Sequence, residues 1–209
     1  MAGEASSGEG FGGADSAEAI ELDKRMSQAF MAFNSDAHKH ATTGTLIQAW
    51  RPRTDVSGAV YLETKGLPVS IYGMGDMLAQ FRYLCCSRRF SPVVPDEMGV
   101  VGRVFSTGKP EFCGDVQTFK EPAYLRAQEA ASCNLHSMCA VPVYRGCERG
   151  EAAAVVELLW HDKDVPFGTA ITRLQSCFET VGLYTTDMDI SAITMGLNMV
   201  SLDDGKPGS

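Results

Sequence analysis

The run AAAVVELLW, residues 152–160, is the most apolar segment of the chain, and its length limits what the chain can become. It falls far short of the roughly 18 residues an apolar helix needs to cross a bilayer, and Glu157 interrupts it. A short β-branched run bounded by polar residues reads as a strand. The segment LHSMCAVPVYRG before it has the same character, and the polar turn GCERGE between them makes the two a hairpin.

A second set of strands lies nearer the N-terminus. In TGTLIQAWRP, residues 43–52, Leu46, Gln48 and Trp50 alternate against Ile47, Ala49 and Arg51, and Pro52 is expected to stop the run. After the turn RTDVSG, AVYLETKG reads as its antiparallel partner, and GLPVSI extends the sheet. The stretch EFCGDV, residues 111–116, adds a short strand.

Helical spacing appears between and around these strands. Ile20, Met26, Phe30 and Phe33 recur among charged residues from Ser16 to about Asn34–Asp36. Met77, Phe81, Leu84 and Cys85 place a helix over 76–90, with Arg88 and Arg89 in its last turn, where cations favour the helix dipole. SPVVPDE reads as a connector into a short helical turn, Val100 to Ser106, ended by Thr107, Gly108 and Pro110. EPAYLRAQEAASCN is rich in helix formers, with Pro122 suited to its first turn. Ile171, Leu174, Phe178 and Val181 mark a final helix that begins after Pro166 and Gly168 and is expected to run beyond Met188.

This order predicts an α+β domain with a central antiparallel sheet. The first and last helices pack together on one face, and a pocket roofed by the middle helices and loops occupies the other. Residues 1–15, built of Gly, Ser, Ala and Glu, read as a disordered lead; 16–196 form a single domain, and 197–209 a flexible tail. The N-terminus has no basic and apolar signal pattern, so an intracellular setting is expected.

Composition excludes several classes of function. A net charge of −8 argues against direct nucleic-acid contact, which is driven by Lys and Arg displacing counterions. The stretch GVVGRVFSTGKPEFCGDV contains Gly99, Gly102 and Gly108, but their spacing matches no nucleotide-binding loop. A tight turn and a helix end needing positive φ explain them better. His38, His40, His136 and His161 form no closely spaced ligand set, so neither a metal nor another cofactor is expected. No GxSxG elbow supports a hydrolase. The seven cysteines make an odd count without CxxC pairing, and most are expected to be free thiols.

From Thr43 to about Asp187, the chain resembles the GAF-like regulatory domain on the N-terminal side of NIN-like proteins. These are the plant and green-algal RWP-RK transcription factors that govern nitrate responses. The carrying motifs are collinear: TLIQAWRP, AVYLETKGLPVSI, FRYLCCSRRFSP, GVVGRVFSTGKPEFCGDV with the following residues to Gly146, and EAAAVVELLW. Gly102, Arg103, Val104, Phe105, Pro110, Glu111, Asp115, Val116, Tyr124, Arg126, Ala140, Pro142, Val143 and Glu157 sit on matching positions.

The resemblance implies a noncatalytic sensory domain of a nitrogen-responsive regulator, found in nucleus and cytoplasm, with a small anion such as nitrate as ligand. It places that ligand over the sheet near Arg103, Arg126, His136, Ser137 and Trp50. It implies a protein partner or a homodimer through the terminal helices, and no membrane. No RWPxRK segment is present, so the chain is expected to be a fragment of a longer protein.

Departures from the family pattern bear on the anion. Phe112 and Cys113 replace Trp-Thr, Val101 replaces Pro, and Ala154 replaces a strand Gly. Glu129 stands where a His is usual and His136 where an Arg is common, changes that weaken an anion site by charge alone. Two rival readings follow from other residues. Cys113, Cys133 and Cys139 are the residue types of a thiol enzyme resembling free methionine-sulfoxide reductase. An exposed stripe of Ile171, Leu174, Phe178 and Val181 would instead make a ligand-free dimerisation module.

Overall fold

Strand β1 (Gly44–Thr54) organises the sheet, because it pairs along both of its edges. The computed structural model describes residues 16–35, 43–73, 75–119, 123–147 and 150–186. On one edge β1 pairs antiparallel with β2 (Val60–Glu63) through its second half and with β3 (Val69–Gly73) through its first half. On the other edge it pairs with β6 (Ala154–Trp160), which pairs with β5 (Met138–Val143), which pairs with β4 (Glu111–Cys113). The resulting order is β2-β1-β6-β5-β4, all antiparallel, with β3 beside β1.

Pro52 does not stop β1, which runs on to Thr54. Leu62, opposite Pro52, exchanges its backbone hydrogen bonds with Phe90, so the Pro52–Leu62 pair is one that makes no ladder bonds. The missing N–H of Pro52 therefore faces the other edge, where the pairing with β6 ends at Trp50.

The two faces of the sheet carry separate cores. Ile47, Ala49, Val141, Val156, Leu158 and Trp160 pack beneath α1 (Ala17–Ser35) and α5 (Phe167–Thr180). Leu46, Trp50, Ala140, Val155 and Leu159 face the roof, made of α2 (Asp76–Cys85), α3 (Pro95–Thr107) and α4 (Ala127–Ser132). The terminal helices thus share one face, as expected. Ile171, Leu174 and Phe178 are fully buried against α1 and the sheet, so this stripe is used inside the chain and is no exposed dimer surface. Ile20 points outward at 59% exposure; the buried face of α1 is Leu22, Met26, Ala29, Phe30 and Phe33.

Helix lengths differ from the periodic reading wherever remote contacts set the ends. Helix α2 stops at Cys85, which leaves Arg88 and Arg89 beyond it, and Phe90 bridges to Leu62. Helix α3 starts at Pro95, inside the expected connector. The strand EFCGDV ends at Cys113 and gives way to a 3-10 turn at Val116–Thr118, capped by Asp115. Helix α4 covers only Ala127–Ser132, because Tyr124 and Arg126 turn into the core before it; Pro122 lies outside the described residues. Helix α5 ends at Thr180 rather than past Met188, a residue outside the description. Its end is a Schellman cap: Leu183 N–H bonds Phe178 O, and Gly182 N–H bonds Glu179 O. Arg25 of α1 donates to the carbonyls of Val181 and Gly182 there, fastening the two helices end to side. The lead 1–15 and the tail 197–209 lie outside the described residues.

The glycines of the central stretch are structural. Gly108 caps α3 at φ 64°. Gly99 breaks α3 near its start at φ 51°, ψ −166°, a region that side chains avoid. Its absent Cβ would meet only ordinary contacts with Phe90 and Leu125, so backbone strain is the main cost of adding one. Gly99→Ala is expected to destabilise the domain by about 1–3 kcal/mol, read as a lower urea midpoint with unchanged slope.

Candidate functional site

The register of the strands brings four side chains into one row on the roof-facing side. Gln48 of β1 opposes Glu157 of β6, Glu157 opposes Ala140 of β5, and Ala140 opposes Glu111 of β4. Gln48 and Glu157 are fully buried. A carboxylate at the centre of a sheet under an apolar roof needs a cation and a full set of donors.

Arg126, just ahead of α4, supplies the cation. Its fork closes on Glu157: Nη1 lies 2.9 Å from Oε2, and Nη2 donates to Oε1. The side chains are 2% and 0% exposed. Oε2 also accepts from Gln48 Nε2 at 2.9 Å and from Trp50 Nε1 at 3.0 Å. Gln48 is oriented in turn by Arg82 of α2, whose Nη1 donates to Gln48 Oε1 at 3.2 Å and whose fork also holds Thr64 and Leu67 O. The rings of Trp50, Phe81, Phe90 and Tyr124 surround the Arg126 guanidinium, their centroids 5.0 to 5.4 Å from Cζ. Burial works against the charge of Arg126, but Glu157, Tyr124 and Cys85 together outweigh it, so the guanidinium holds its proton more firmly than a free arginine. Burial outweighs the opposing charge of Arg126 and holds the Tyr124 hydroxyl well above its ordinary range, and that hydroxyl finds no hydrogen-bond partner among the described residues.

A second pair stands beside the first. Arg103 of α3 grips Glu111 with Nε at 2.9 Å and Nη2 at 2.8 Å, and Nη2 also donates to Ala123 O at 3.0 Å. Arg103 and Arg126 therefore both reach down from the roof to the two strands that flank β5, β4 and β6, with Ala140 between their carboxylates. Trp50 joins them through Glu157.

His136 and Ser137 belong elsewhere. His136 Nδ1 lies 2.8 Å from Asp115 Oδ1, and Lys163 pairs with Asp115 Oδ2 at 2.8 Å. Burial pushes the Asp115 carboxyl up, but Lys163 and His136 together hold it below its usual range. Ser137 is buried, donates to Gly114 O at 3.1 Å and accepts from Val165 N–H at 3.2 Å. These two residues thus fasten the loops around β4 and ahead of α5. Glu129, the acid at a position usual for His, pairs with Arg88.

The thiols are poorly placed for catalysis. Cys113, Cys133 and Cys139 are all buried, and Cys113 faces the roof while Cys139 faces the opposite core. A bridge between those two would have to pass through the sheet. Burial pushes the Cys113 thiol up to about 11 and that of Cys139 higher still, the reverse of a reactive thiolate. No group of three or more His, Cys, Asp or Glu able to hold a metal occurs among the described residues.

Glu157, Gln48 and Arg82 were not assigned roles from sequence, although a readable signal existed. Gln48 stands between Leu46 and Trp50, and Glu157 between Val155 and Leu159, so each is a polar residue among apolar ones on the same face of its strand. The pair makes a specific energetic prediction. Arg126→Met or Glu157→Leu alone should cost about 3–5 kcal/mol, because each leaves a buried charge uncompensated, while the double variant should recover most of the loss. Urea denaturation of the three variants, analysed as a double-mutant cycle, measures this.

The model of the NLP protein GAF domain matches residues 64–178, more than half of the 209-residue chain. Protein NLP3 of Oryza sativa subsp. japonica is 29% identical over 168 residues, covering 79% of this chain and 17% of that protein. Protein NLP7 of Arabidopsis thaliana is 26% identical over 169 residues, covering 80% and 17%. The chain thus spans about 17% of the length of these relatives. The solved reduced form of fRMsr of Staphylococcus aureus is 14% identical with a TM-score of 0.46, over 75% of this chain and 81% of that one. No helix among the described residues is long and apolar enough to cross a membrane. With its antiparallel sheet, paired terminal helices and helical roof, the chain belongs to the NLP protein GAF domain family.

Proposed function

We propose that the chain is the noncatalytic regulatory domain of a nitrogen-responsive RWP-RK transcription factor, acting in nucleus and cytoplasm through contacts with protein rather than through chemistry. The family match supports the regulatory class. The observation that carries the rest is that Arg103 and Arg126, the roof cations nominated for an anion, are each already held by two bonds to a carboxylate of the same chain. An anion arriving at either must displace a glutamate whose tether keeps it at high effective concentration. Buried thiols with raised pKa values speak against the reductase reading.

Nitrate sensing is the second reading, and Arg103 is the residue that favours it. Its side chain is 26% exposed against 2% for Arg126, so water and small anions reach it. Titration with sodium nitrate and sodium chloride at equal ionic strength separates the two readings. The leading one predicts equal thermal shifts for both salts. A saturable shift with nitrate alone, lost in Arg103→Gln, would replace it with a nitrate sensor at the α3 end of the sheet.

A further inference from the structure

We infer that the buried donor set of Arg126, Gln48 and Trp50 is a receptor for a small carboxylate, and that Glu157 is its tethered ligand. The inference goes beyond the regulatory reading and stands whichever protein the domain regulates.

The donors converge from separate places in the fold. Gln48 and Trp50 stand on β1, Arg126 precedes α4, and the carboxylate comes from β6. One oxygen of Glu157 accepts from three side chains and the other from the second arm of the fork. Such a set is what a protein presents to a free carboxylate: a bidentate guanidinium for charge and in-plane direction, and neutral N–H groups for the remaining lone pairs. Four aromatic rings around the cation keep the site dry, which strengthens each of these bonds. Each donor also has a contact other than Glu157: Gln48 is held by Arg82, Trp50 packs edge-on against Phe90 at 5.1 Å, and Arg126 keeps Cys85 Sγ at 3.2 Å and its four rings.

The ligand's remaining atoms are few. Beyond Cβ, Glu157 consists of one methylene and a carboxylate, the heavy atoms of acetate, and its neighbour across β5 is only Ala140. Glu157→Ala therefore deletes one acetate equivalent and removes no donor side chain. In the parent chain the carboxylate is held in place on β6, a fixed orientation that gives it an effective concentration far above millimolar acetate. The roof thus sits in its ligand-bound position without any external ligand.

The test compares the parent, Glu157→Ala and Arg126→Met/Glu157→Ala in urea with increasing sodium acetate, ionic strength being held constant with sodium chloride. A saturable rise in the urea midpoint of Glu157→Ala, absent from the parent and the double variant, is the expected result. Formate and propionate, one methylene shorter and longer, should act more weakly. Adding Trp50→Phe to Glu157→Ala should raise the acetate concentration for half effect by about tenfold, the loss of one hydrogen bond to a charged group. An acetate response no larger than that to chloride, or one shared equally by all three chains, would overturn the inference. If Glu157→Ala does not fold in buffer alone, refolding from urea reads the same site. Native tryptophan fluorescence regained in acetate but not chloride supports the receptor, and none regained with any carboxylate sinks it.

Discussion

Moving a guanidinium and a carboxylate out of water costs several kcal/mol for each ion, so a buried Arg126–Glu157 pair imposes demands on everything around it. Glu157 needs donors beyond the arginine, which Gln48 and Trp50 provide. Gln48 presents its amide correctly only because Arg82 holds the carbonyl oxygen, and Arg82 is itself fixed by Thr64 and Leu67 in the β2–β3 turn. Even the Cys85 thiol is drawn in, accepting from Arg126 Nη1 at 3.2 Å. Polar requirements at the centre of the sheet thus reach α2, the approach to α4 and two strands. The adjacent Arg103–Glu111 pair extends the same arrangement to α3. The roof is held to the sheet by directional bonds as well as by apolar contact, which favours one position over many.

Much of the architecture was legible because it rests on local patterns. Alternation in TLIQAW and in AVVELLW marks strands, and the recurrence of Met26, Phe30 and Phe33 marks a helix with one buried face. What was misread depends on neighbours distant in sequence. Pro52 is tolerated in β1 because β6 has ended beside it, and the end of α5 is shaped by Gly182 together with Arg25, more than 150 residues upstream. Ile20 fitted the apolar count but falls on the outer face of α1.

The site was legible only in part, for a related reason. Arg103, Arg126 and Trp50, expected near the site from the sequence, lie on the roof side, but the partners that set their chemistry come from other strands. Only the register shows that Glu157 and Glu111 flank Ala140 in one row. A charge count along the sequence treats Glu129 as an acid set against an anion, whereas in the fold Arg88 neutralises it. His136 and Ser137 follow Asn134 and Leu135 in the chain, yet their partners Asp115 and Gly114 place them with the β4 loop. Reactivity of the thiols was likewise a question of which face each strand residue takes.

The most direct measurement of the central claim is the ¹⁵N spectrum of the Arg126 guanidinium. A fork held on both arms by Glu157 and walled in by aromatic rings should rotate slowly about its C–N bonds and exchange slowly with solvent. The account predicts separately resolved, persistent Nη–H resonances for Arg126, with cross-relaxation to the Trp50 indole N–H. A single averaged, rapidly exchanging signal like that of a surface arginine would contradict it.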